Sequence, residues 1–146
     1  MASYQTFCKG LPRAVAAELG TDAPPHHLAT SYQVKLWVGN KDLHYECGVY
    51  LHRKVIELGL HFESDAMTNL QLLGAFRARS KTITRRLPTA RIEPWDKGWT
   101  RVWESIQLAP FEPAFSLRVA RRFARYVKVL EPILEEELPA DARWSR

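Results

Sequence analysis

Apolar and polar residues alternate almost without exception from Tyr32 to Glu63, and a two-residue period of this kind predicts three consecutive strands. The last two, Leu43 to His52 and Val55 to Glu63, are separated only by Arg53 and Lys54, the length of a tight hairpin loop. With His52 set opposite Val55, Leu51, Val49, Cys47 and Tyr45 lie across from Ile56, Leu58, Leu60 and Phe62, so one face is wholly apolar and has to be buried. The other face then pairs Tyr50 with Glu57, Gly48 with Gly59, Glu46 with His61 and His44 with Glu63. The preceding strand, Tyr32 to Val38, adds Val34, Leu36 and Val38 to the apolar face and Gln33, Lys35 and Trp37 to the polar one. A one-residue slip would exchange every side chain between faces, so the segregation itself argues for this phase.

Helical spacing governs the flanks. Thr6 to Gly20 reads as a short helix with Pro12 in its first turn and Gly20 as its stop. Residues 21–31, with Pro24, Pro25 and the pair His26 and His27, read as an extended linker. Ser64 or Asp65 caps a helix running to about Arg86, with Met67, Leu70, Leu73 and Phe76 as the stripe that lies on the sheet. Arg91 to Leu108 reads as a second hairpin turning at Asp96, Lys97 and Gly98, with Trp99, Arg101 and Trp103 on one face; Pro94 places its first strand at an edge or ends it early. A last helix spans about Ala114 to Leu138, and Pro132 is expected to kink it or split off a final turn. The tail, residues 139–146, reads as frayed. The element order α-β-β-β-α-β-β-α makes this an α+β fold: a single domain over residues 1–146, with a sheet of about five antiparallel strands and the long helices packed on its apolar face.

Composition narrows the class without naming a task. Hydrophobic residues at 46% and charged residues at 25% are ordinary globular values and set aside disorder. No apolar run reaches a membrane span, so no membrane partner is expected, and the N-terminus lacks the pattern of a signal peptide. The expectation is a small cytoplasmic protein with Cys8 and Cys47 as free thiols. The formal charge of +5 is concentrated in two helices, at Arg77, Arg79, Lys81, Arg85 and Arg86 and again at Arg118, Arg121, Arg122 and Arg125. Such stripes are usually solvated, and they are also where a nucleic-acid backbone would bind.

Chemistry has to be sought on the polar sheet face, because the Gly-rich phosphate loops, HExxH, CxxC and the GxSxG elbow are all missing from the sequence. No cofactor is implied and no catalytic residue is assigned. Lys35, Trp37, His44, Glu46, Tyr50, Glu57, His61 and Glu63 form the candidate ligand or partner face, with Gly48 and Gly59 as a bare strip that admits close approach. Two histidines and two carboxylates together could hold a divalent metal, or Glu46 could orient His61 for acid–base work. The plain alternative is cross-strand ion pairs on a solvated sheet, worth ~0.2–1 kcal/mol each. The leading expectation is a non-enzymatic module that binds a small ligand or a protein partner on this face. Nucleic-acid binding through the basic helices comes second, and a small metal-dependent or acid–base enzyme centred on Glu46 and His61 third. Self-association through the same face would make its ion pairs interfacial.

Overall fold

The computed structural model describes residues 3–138, so the tail expected to fray lies outside the described residues. The elements run α1 (Tyr4–Leu19), a 3-10 turn (Gly20–Asp22), β1 (His26–Ala29), β2 (Gln33–Trp37), β3 (Leu43–Tyr50), β4 (Val55–Phe62), α2 (Ala66–Ala78), α3 (Ser80–Arg86), β5 (Arg91–Pro94), β6 (Thr100–Gln107) and α4 (Pro113–Glu137). The fold is α+β, with one antiparallel sheet in the order β1-β2-β3-β4-β6-β5.

The sheet has six strands because part of the expected linker is itself a strand. His26 to Ala29 pairs with β2, His26 opposite Trp37 and Ala29 opposite Val34. Four residues that follow two prolines and show no alternation carry no strand signal. An edge strand needs a ladder on one side only, and β2 provides it. The opposite edge is β5, where Pro94 ends the strand at the place its missing N–H predicts.

The central hairpin keeps its faces and changes its register. Tyr50 lies opposite Val55, Gly48 opposite Glu57, Glu46 opposite Gly59 and His44 opposite His61, two residues away from the expected pairing. The loop is Leu51–Lys54, not Arg53 and Lys54 alone. A two-residue turn would hold two side-chain-bearing residues at positive φ, whereas the longer loop asks this only of Lys54, at φ 56. Because the side-chain period is two, a two-residue shift leaves every side chain on its face. Leu51 and His52 lose their places, leaving the sheet for the loop, where Leu51 is half exposed.

All four helices send their buried side chains into one core. Phe7 and Leu11 of α1, Leu72 and Phe76 of α2, Ile83 of α3 and Phe115, Phe123 and Leu130 of α4 pack with Tyr45, Ile56, Leu58, Leu60 and Phe62 of the sheet. The helices therefore cover the apolar face only. Four helical expectations change in detail. Pro12 lies inside α1, because Ser3 caps the helix upstream by accepting a hydrogen bond from the Thr6 N–H. In α2, Met67 and Leu70 are exposed while Thr68, Asn69, Leu72, Leu73 and Phe76 face inward. The run to Arg86 is two helices, broken at Arg79, and α4 passes through Pro132 unbroken with Leu130 and Leu134 fully buried on either side of the proline. Burial of both flanking turns holds the helix across the lost hydrogen bond.

Asn69 explains the rotation of α2. Its side chain accepts from the Ser64 N–H at 2.9 Å and donates to the carbonyls of Ser64 at 3.1 Å and Gly98 at 3.0 Å, while its own carbonyl accepts from the Thr100 hydroxyl at 3.0 Å. A buried amide satisfied in this way fixes which side of the helix faces in, and it ties the β5–β6 turn to the start of α2.

Gly59 is the more crowded of the two glycines in the strands. A Cβ there would overlap the Val102 carbonyl oxygen and stand 2.7 Å from the Cα and Cβ of Trp103. Gly59→Ala is expected to destabilise the protein by about 2–3 kcal/mol, the cost of overpacking against backbone. Gly10→Ala, on α1 with nothing near its Cβ, should instead be neutral or stabilising by up to ~1 kcal/mol. Urea unfolding of the two variants against the parent chain checks both signs.

Candidate functional site on the polar sheet face

The face turned away from the helices is polar in sequence, yet it is not solvated. His44, Glu46, Glu57, His61 and Arg101 are all less than 9% exposed. The expected picture of open surface ion pairs is corrected in this respect: alternation tells which side of the sheet a residue takes, and not how closely its neighbours pack around it.

Two charged groups share the face. In the first, His44, Glu46, His61 and Glu63 come together across β3 and β4. The closest contacts run along each strand, from His44 Nε2 to Glu46 Oε1 at 3.0 Å and from His61 Nδ1 to Glu63 Oε2 at 2.9 Å. The contacts expected as direct cross-strand pairs are diagonals, His44 Nε2 to Glu63 Oε2 at 3.7 Å and His61 Nδ1 to Glu46 Oε1 at 3.8 Å. The cluster survives the register shift because moving β4 by two residues exchanges direct and diagonal neighbours. Supporting contacts hold it from outside: His44 Nδ1 donates to the Lys41 carbonyl at 2.8 Å, and Gln33 Nε2 donates to Glu46 Oε2 at 2.9 Å.

The second group is Glu57 with two arginines, Arg53 Nη1 at 2.9 Å and Arg101 Nη1 at 3.3 Å. The Arg101 guanidinium lies over the Trp103 ring at 3.7 Å and over the Trp95 ring at 4.4 Å, so indoles replace the water it has lost. Trp95 also meets the His61 ring nearly at right angles, with centroids 4.8 Å apart, and thus joins the two groups.

The remaining predicted face residues take places around this floor. Lys35 lies opposite Glu46 on β2. Trp37 stacks on His26 at 5.6 Å under the Lys41 ammonium, toward the β1 edge. Tyr50 lays its ring over Gly48, within 3.0–3.3 Å of where a Cβ would stand, and carries Arg53 on its face. The expected bare glycine strip is therefore filled: Gly48 and Gly59 are not opposite one another, the Tyr50 ring takes the space over Gly48, and the β6 backbone at Val102 and Trp103 closes on Gly59. Alternation puts Gln33 on the polar face and groups Arg101 with Trp99 and Trp103 in the second hairpin, without singling out either residue. Trp95, in a turn, carries no periodic signal that would reveal its contact with His61.

The basic helices do not form one patch. Arg77 donates to the Ile92 carbonyl, Arg79 bridges Glu136 and Glu137, Arg121 meets Glu18, and Arg122 reaches Glu104. Lys81, Arg85 and Arg86 are exposed on α3, and Arg118 and Arg125 are exposed on α4. Comparison with protein-family models, curated proteins and solved structures finds no match for this chain. The geometry of the site therefore carries the functional reading.

Burial sets the protonation of the first cluster. Loss of water pushes His61 below its ordinary value, and the Glu63 hydrogen bond and the Glu46 charge offset this only in part. Burial also works against the charge on Glu46, but the His44 hydrogen bond and the positive charge at His61, His44 and Lys35 outweigh it and hold the carboxyl low. For His61 the unfolded chain takes up a proton that the folded chain resists, so stability falls as pH drops below 6.5. Glu46 acts in the same direction, losing its contribution as pH falls below 4.5. The melting temperature is expected to be lower at about pH 5 than at about pH 7.5, and His61→Gln should flatten that difference; thermal unfolding across the range checks it.

Proposed function

We propose that this chain is a binding module that receives its partner on the polar face of the sheet. The observation that carries the reading is the burial of two charged clusters on the one sheet face that no described helix covers. Ionisable groups held together without water are costly, and such arrangements are concentrated where a protein recognises something. The rim gives the partner its chemistry. Trp37, Trp95 and Trp99 are partly exposed, and the exposed Lys41 and Lys97 ammonium groups stand over the Trp37 and Trp99 rings. A flat group bearing negative charge fits indole faces edged with cations, while Glu46, Glu57 and Glu63 keep a second anion from the floor.

Nucleic-acid binding through the helices is the second reading, and a groove on α4 between Leu117, Arg118, Arg121, Arg122 and Arg125 favours it. Affinity through that groove should fall steeply with salt. One experiment opposes the two readings. A panel of aromatic carboxylates, mononucleotides and a fluorescent single-stranded oligonucleotide is titrated at low and high salt into the parent chain, a Trp37→Ala/Trp95→Ala variant and an Arg118→Ala/Arg125→Ala variant. The expected outcome is binding of a flat anion that weakens at least tenfold in the tryptophan variant and is unchanged in the arginine variant. Binding that survives the tryptophan changes and disappears with the arginines would transfer the function to α4.

A further inference from the structure

Deepening the reading of the polar face as a binding surface, and resting on it, we propose that His44, Glu46, His61 and Glu63 hold a divalent transition-metal cation of the zinc class at the floor of that face. Their four facing atoms, His44 Nε2, Glu46 Oε1, His61 Nδ1 and Glu63 Oε2, alternate nitrogen and oxygen around a closed circuit. The circuit's edges are 3.0, 3.8, 2.9 and 3.7 Å. A tetrahedral site with bonds of ~2.0–2.1 Å has donor-to-donor edges of ~3.3 Å, the middle of that range. All four donor atoms lie within 4.8 Å of one another. Four-coordinate tetrahedral binding requires the two separations across the circuit, which are at most 4.8 Å, to close toward the same ~3.3 Å by side-chain rotation.

The hydrogen bond from His44 to Lys41 is what turns proximity into a site. A carbonyl oxygen only accepts, so His44 Nδ1 carries the proton of that 2.8 Å contact. In the neutral ring Nε2 is then a lone pair, and it faces a carboxylate oxygen 3.0 Å away. Two acceptors at this distance repel unless a proton or a metal cation lies between them, and it is this position that the metal would take. A backbone carbonyl that fixes the tautomer of a ligating histidine is the usual support of a metal centre, and Gln33 on the far oxygen of Glu46 supplies the same kind of support to a carboxylate.

Charge and donor type point to the class of ion. Two carboxylates and two neutral imidazoles balance one divalent cation, leaving the buried cluster neutral. Arg101, opposite His61 on β6, is already committed to Glu57. Two nitrogen donors among four ligands suit zinc, cobalt or iron(II) and disfavour magnesium and calcium, which take six or more oxygens.

The test uses metal alone. Chelator-treated full-length protein is titrated with Co²⁺, followed by visible absorption, and with Zn²⁺, followed by calorimetry. The expected result is one equivalent bound, with the intense visible bands of four-coordinate cobalt. His44→Ala and Glu63→Gln should each weaken binding at least tenfold and Gln33→Ala about tenfold, while His27→Ala, in the adjacent histidine pair of β1, changes nothing. Circular dichroism and a melting curve on each variant identify any that fail to fold, and Glu63→Gln, the least buried of the ligand changes, serves where His44→Ala does not fold. Absence of cobalt absorption, six-coordinate spectra only, undiminished binding in Glu63→Gln, or loss in His27→Ala overturns the proposal; the first result means that a shared proton holds the four groups together. The flat-anion titration repeated on chelated protein separates the two claims. If the anion still binds through Trp37 and Trp95 but metal does not, only the metal site falls. If metal binds and no anion does, the partner-binding reading falls alone.

Discussion

The polar face depends on the answer given to two buried carboxylates. Glu46 and Glu57 sit on a sheet surface where their neighbours exclude water, and an unanswered charge there would cost several kcal/mol. Glu57 is answered by Arg53 and Arg101, and Glu46 by His44, Gln33 and the positive charge of Lys35. Once these partners are required, much else follows. Arg101 must be near Glu57, which brings Trp95 and Trp103 onto its two sides, and Trp95 in turn lies against His61.

This requirement links the two sides of the sheet. The β5–β6 turn that carries Trp95 and Trp99 over the polar face is held from beneath by Asn69 of α2, through the Gly98 carbonyl. Thr100 closes the same link from the strand. The position of an indole above the histidines is therefore set by a helix on the opposite, apolar side. The tryptophan rim and the His/Glu floor are parts of one packed unit, with the core as its foundation.

Much of the fold was legible in the residues because a strand of period two has only one way to keep Ile56, Leu58, Leu60 and Phe62 together. The candidate cluster was legible for the same reason: His44, Glu46, His61 and Glu63 share a face in any register that differs by an even number of residues. The four-residue strand at His26 was hidden, since its stability comes from β2 and not from its own pattern. Met67 and Leu70 read as core because their spacing is helical, but spacing cannot say which side of a helix a buried amide such as Asn69 will claim.

Alternation and helical period, both local properties of the chain, settled which side chains lie on which face and that four ionisable groups would be neighbours. Register, burial and the identity of each contact were settled only when the chain closed on itself. They depend on the φ that Lys54 can adopt in the loop, on the ring of Tyr50 filling the space above Gly48, and on Trp95 arriving from a turn more than thirty residues away in the chain. These are non-local contacts, and no window of sequence around His44 or His61 contains them. For the same reason the residues read as a polar surface became a buried floor: the pattern specifies orientation, and packing specifies how much water is left.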